Sequence, residues 1–85
     1  MEALSAAPRT LVVAPNWVGD LVMAEPVVRA LAASGREITL FVKRPLAPLA
    51  ALLPGVAATI EKAAAAQDSV AAIAAGDFDE AVVLP

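Results

Sequence analysis

Six residues near the amino terminus, Pro15-Asn16-Trp17-Val18-Gly19-Asp20, bring an amide, an indole and a carboxylate together where the first apolar run gives way to the first helical pattern. Asp20 brings a carboxylate, which can take a proton from an attacking hydroxyl. An aspartate where a helix opens can equally serve as its N-cap or first-turn acid, accepting from backbone N–H groups two or three residues on. Trp17 is the sole tryptophan. Its flat ring can lie against the C–H face of a sugar while its N–H bonds a hydroxyl, or it can wedge the turn against a neighbouring strand. Gly19 lacks the companions of a three-glycine dinucleotide turn and the Gly-Lys-Ser/Thr of a phosphate loop. Alone, it permits either the turn itself or the close approach of a ligand. Further on, Lys43 and Arg44 offer two cations to an anionic ligand, with ordinary solvated loop charges as the alternative.

The missing residue types narrow the chemistry. With no cysteine and no histidine in 85 residues, disulfides, thiolate catalysis, zinc centres of the usual kind and histidine-based triads are excluded. Any acid or base must be a carboxylate or a lysine. A net charge of -3 without a run of basic residues argues against nucleic acid as a partner.

The elements that must position these groups follow from the pattern of apolar residues. Thr10 to Ala14 is a short β-branched run without polar alternation, as in a strand covered on both faces. Leu21, Ala24, Val28 and Leu31 then recur at spacings of three and four, which predicts a helix over Leu21 to Ala33. Glu25 and Arg29 support its exposed side, Pro26 must bend it or make its first turn irregular, and Gly35 stops it. Ile38 to Val42 is a second strand. Pro45 opens a short helix carried by Leu46, Leu49, Leu52 and Leu53, and Pro54-Gly55 ends it. Val56 to Ile60 is a third strand. Ala63 to Ala75 is an alanine-rich helix with Gln67 and Asp68 outward and Val70 and Ile73 inward, ended by Gly76. Glu80 to Leu84 is the fourth strand, and Met1 to Arg9 is a frayed lead-in.

The sequence therefore reads β-α-β-α-β-α-β, an α/β Rossmann-like unit. Right-handed crossovers make the sheet parallel, with the expected order 3-2-1-4 and a switch point between the first and fourth strands. Ligands of such sheets bind beyond the carboxyl ends of the strands, where the Asp20 turn and the end of the chain meet. A chain of 85 residues is one domain at most. Its longest uncharged stretch, Pro45 to Ile60, is broken by Pro45, Pro48, Pro54 and Gly55 and is unsuited to crossing a membrane. No basic region followed by an apolar core opens the chain, so a cytoplasmic location is expected.

Pro15 to Pro26, Pro-Asn-Trp-Val-Gly-Asp-Leu-Val-Met-Ala-Glu-Pro, resembles the amino-terminal signature of the ADP-heptose:lipopolysaccharide heptosyltransferases, above all the heptosyltransferase II branch. Phe78 to Pro85, Phe-Asp-Glu-Ala-Val-Val-Leu-Pro, is similar to the next landmark of that family, a Tyr/Phe-Asp before an apolar strand and Leu-Pro. Members are several times longer, so this chain resembles the front part of the amino-terminal, acceptor-side domain of a two-domain GT-B glycosyltransferase. The resemblance implies transfer of heptose from ADP-heptose to the inner core of lipopolysaccharide, with inversion and with no metal or other cofactor. It implies Asp20 as the general base and Asn16, Trp17, Gly19 and Lys43 as substrate-binding residues. The donor would be held by a second domain, and the enzyme would work in the cytoplasm, with peripheral association to the inner membrane. Asp77-Phe78-Asp79 looks like the Asp-x-Asp metal motif of another glycosyltransferase class. It precedes the fourth strand, at the end of the sheet remote from the switch point, and reads as a turn with solvated aspartates. A different GT-B glycosyltransferase and a non-catalytic Rossmann-like binding module are the alternatives, the latter signalled by an Asp20 that merely caps.

Overall fold

The structure, a computed structural model, describes residues 7–84. Among them β1 (Arg9–Val13), β2 (Glu37–Val42), β3 (Val56–Glu61) and β4 (Glu80–Val83) form one sheet. All pairings are parallel and the order is β3-β2-β1-β4, as the sequence led us to expect. Helices α1 (Val18–Met23), α2 (Glu25–Ala33), α3 (Ala47–Leu52) and α4 (Ala66–Ala75) fill the crossovers. Residues 1–6 of the expected lead-in lie outside the described residues, as does Pro85, and Arg9 is already part of β1.

The single helix expected from Leu21 to Ala33 is two helices, and Pro26 is the reason. Proline has no N–H and crowds the carbonyl four residues back, so the chain restarts: Pro26 falls in the first turn of α2, where its missing donor had no partner in any case. Ala24 joins the two pieces, its carbonyl accepting from Val27 N–H at 3.0 Å and Val28 N–H at 3.1 Å. The apolar stripe survives the break, with Leu21, Ala24 and Val28 all buried. Glu25 and Arg29 pair across one turn at 3.3 Å, and Gly35, at φ +96, ends α2 in the left-handed region.

One face of the sheet carries the core. Val12, Ala14, Ile38, Leu40 and Val42 meet Leu21 and Val28 from the helices over β1 and β2, and Leu46, Ala47 and Ala50 from the segment over β2 and β3. A 3-10 turn over Arg44–Leu46 precedes α3; of the leucines read from the sequence Leu46 is buried and Leu49 and Leu53 pack against the core beside Ala47 and Ala50, while Leu52 is 79% exposed. The other face buries Leu11, Thr39 and Phe41, but no residue of α4 is itself buried, and Val70, expected inward, is 65% exposed.

A β-bulge changes which side of the sheet β3 presents. Val56 pairs with Ile38, yet Ala58 pairs with Thr39 and Ile60 with Phe41, so Ala57 is an extra residue in the ladder. Val56 consequently packs on the main core, while Ile60 shares a face with Phe41 on the α4 side.

At the amino end of the sheet, Asp77 adopts φ 53 in the turn before β4. Asp79 is tied to β1 rather than simply solvated: its Oδ2 accepts from Arg9 N–H at 2.7 Å, and its own N–H donates to Arg9 O at 2.8 Å. Beside it Glu80 Oε2 accepts from Thr10 Oγ1 at 2.6 Å and from Arg36 Nε.

Candidate functional site

β1 delivers the chain to the carboxyl end of the sheet, where Ala14 N–H still donates to Phe41 O at 3.0 Å and Pro15 is buried. Asn16 and Trp17 then stand out from the surface. Trp17 is the N-cap of α1, extended at φ -117 and ψ 144, and its carbonyl accepts from Leu21 N–H at 2.9 Å. Because the helix starts there, Asp20 is its third residue and makes no capping bond. The capping alternative for Asp20 therefore gives way to a first-turn acid, favoured by the positive end of the helix but free to face a ligand.

Gly19 is also placed differently from one of its two readings. It lies inside α1 with an ordinary negative φ, and a Cβ added there would meet nothing within 4 Å. The turn does not require glycine; what its bareness leaves is an open approach beside Asp20.

Asp20 faces a shallow cleft of about 220 Å³ lined by Pro15, Met23, Ala24, Val27 and Leu84. Asp20 is the one ionisable group of that lining. Leu84 is brought there by its N–H bond to Val13 O, 3.0 Å, so the cleft lies at the β1–β4 switch point where the sequence placed it. Pockets for whole small molecules run to about 300 Å³ and more. The cleft is smaller than that.

The other side of the same turn is cationic. Lys43 Nζ lies 5.8 Å from the centre of the Trp17 ring, within reach of a cation–π contact. Trp17 is 71% exposed, so it is not wedged into the fold. Arg44 is turned to Glu61, 3.0 Å away, which leaves Lys43 as the member of that pair directed at the turn. Lys62, just past β3, belongs to no motif that marks it in the sequence. Its Nζ donates to Asn16 Oδ1 at 2.9 Å and lies 5.5 Å from the centre of the Phe41 ring. Its position, directly after a strand's carboxyl end as Lys43 is after β2, was the available signal. Asn16 with Lys62 and Trp17 with Lys43 thus lie on the β2–β3 side of the turn, and Asp20 faces the β4 side. Among the described residues no three acidic or other metal-ligating side chains gather, Asp77 and Asp79 included.

No protein-family model and no curated protein matches the chain. Among solved structures, E. coli ADP-heptose LPS heptosyltransferase II is similar to it, with a TM-score of 0.77 and 28% sequence identity over 91% of this chain. The chain spans 24% of that protein's length. The expected resemblance to the heptosyltransferases is borne out by this likeness, and the α/β fold with the order β3-β2-β1-β4 agrees with it.

Proposed function

We propose that this chain is the front of the acceptor-side domain of a two-domain inverting glycosyltransferase, one that moves heptose from ADP-heptose to the inner core of lipopolysaccharide. The likeness to the E. coli enzyme over 91% of the chain carries the reading. The position of Asp20, the sole charge in a small cleft beyond β1 and β4, supports it. In the reaction an acceptor hydroxyl attacks the anomeric carbon of the donor from the side opposite ADP. Asp20 takes the hydroxyl proton as the new C–O bond forms, and ADP departs with the electrons of the old one. Trp17 would give the acceptor sugar an apolar floor, Asn16 a hydrogen-bonding edge, Gly19 clearance, and Lys43 a counter-charge for the phosphorylated core. The donor belongs to a second domain, and closure of the two completes the site. The work would be done in the cytoplasm, at the inner face of the membrane where the lipid acceptor is assembled.

The test is transfer from ADP-heptose to a heptose-deficient core acceptor by the whole protein and by its Asp20→Asn variant. Asparagine keeps the size of the side chain, and α1 loses no capping bond. Turnover should fall by roughly 10²- to 10⁴-fold with the fold unchanged. Near-normal turnover by the variant would remove Asp20 from the role, and no transfer by the unaltered protein would overturn the reading.

A further inference from the structure

The turn that carries Asp20 is held from outside itself. α1 opens without a side-chain cap, Asn16 and Trp17 are both exposed, and Gly19 meets nothing where a side chain would be. Within the stretch the buried Pro15 and the bond from Leu21 N–H to the Trp17 carbonyl are the backbone's own hold, and no side chain of the turn adds to it. Two lysines from the ends of neighbouring strands reach it: Lys43 to the Trp17 ring and Lys62 to the Asn16 carboxamide.

Lys62 is the better anchored. Its N–H donates to Val42 O at 2.7 Å, which prolongs the β2–β3 ladder by one rung beyond β3. The next N–H, that of Ala63, donates to Ser69 Oγ at 2.9 Å on α4. From that fixed base the side chain crosses over Phe41 of β2 to reach the turn after β1. Neighbouring strands stand about 4.8 Å apart, so one four-carbon stem links the carboxyl ends of three of them. The bulge at Ala57 makes this possible, because it places Ile60 and the residue two further on over the same face as Phe41. Among the described residues no carboxylate pairs with Lys62, so its amide contact to Asn16 is not secondary to an ion pair.

We infer that Lys62 is a positioning residue for the site: by holding Asn16 it fixes the entry angle of α1 and so the place of the Asp20 carboxylate in the cleft. The catalytic consequence rests on the transferase reading above; the clamp itself does not. A positioning residue acts on the rate of the bound complex more than on binding, since a displacement of about 1 Å at a reacting group can cost 10²-fold. In the whole protein, Lys62→Met should lower kcat by roughly 10- to 100-fold while KM for the acceptor changes by less than about threefold. Lys62→Arg, which keeps a donor over Phe41, should restore most of the rate. Lys62→Met combined with Asn16→Leu should be no worse than Asn16→Leu alone, because the contact between the two side chains is already lost in that variant.

The clamp is read separately in this 85-residue chain, held at concentrations below those at which light scattering reports association, where Trp17 is the sole tryptophan. Lys62→Met should enlarge the fast, local part of its fluorescence anisotropy decay without moving the thermal midpoint, and Lys62→Arg should reverse the change. An unaltered decay overturns the clamp. A loss confined to KM also overturns the positioning role and makes Lys62 a direct ligand of the anionic acceptor. A whole protein that transfers no heptose removes the catalytic consequence, while the Trp17 signal still decides whether Lys62 holds the turn.

Discussion

Glu80 shows how much a single exposed-edge side chain can be asked to do. Its Oε2 takes a hydrogen bond from Thr10, buried in β1, and another from Arg36, which also reaches the Ser34 hydroxyl after α2. Those two bonds, with the nearby positive charge, hold the Glu80 carboxyl below the ordinary glutamate range, against a smaller opposing effect of burial. A depressed carboxylate stabilises the fold above the pH at which the unfolded chain would bind the proton, and that support is lost as pH falls through the folded value. The thermal midpoint should therefore drop more steeply on acidification in the native chain than in Glu80→Gln. Parallel slopes for the two would show that the network does not grip β4. Asp20 and its turn were legible in the sequence because they are contiguous. Glu80 with Thr10, and Lys62 with Asn16, were not, because 70 and 46 residues separate the partners and only the sheet brings them together.

The elements themselves were readable where residue types change sharply. β-branched runs bounded by glycine and proline mark all four strands to within a residue or so, and Pro26 announced the break between α1 and α2. The inward faces of α3 and α4 were readable only in part: Leu46 is buried and Leu49 and Leu53 pack against the core, but alanine on every side leaves little amphipathic contrast, and Leu52 and Val70 face solvent while Ala47 and Ala50 are buried. Glycine placement gives this scale its test. Gly55 sits at φ +90 after α3, and a Cβ there would come 2.8 Å from the Cβ of Ala32 on α2. Gly35 has a similar φ of +96 but faces open space. Replacing Gly35 by alanine should cost about 1–2 kcal/mol for the left-handed backbone alone. Gly55→Ala should cost clearly more, because the turn and α2 must also move apart. Denaturant titration of the two variants measures the difference, and equal losses would show that the Pro54-Gly55 turn does not press on α2.

For the molecule as a whole the two faces of the sheet are unequal. α1, α2 and α3 bury one; the other has α4 and, on β4, Val83 at 73% exposure. Among the described residues β4 is paired on one side only. An edge of that kind, with apolar side chains beside unpaired backbone groups, recruits further strands. With domains stabilised by only about 5–15 kcal/mol, a sheet this small has little in reserve. The 85-residue chain should therefore self-associate, with light scattering that grows with concentration, and Val83→Lys should shift it toward the monomer. A monomeric native chain with a sharp thermal transition would contradict this. The bulge at Ala57 carries a last consequence, for comparison between chains. Side chains along a strand alternate like odd and even numbers, and β3 switches from one to the other partway. The interval from Val56 to Lys62 is thus a fixed count. A related chain that keeps the Asn16 contact but lacks the extra residue must carry its cation on the opposite parity, one position nearer the start of β3. An insertion or deletion inside β3 and a shift of its terminal lysine should be inherited together.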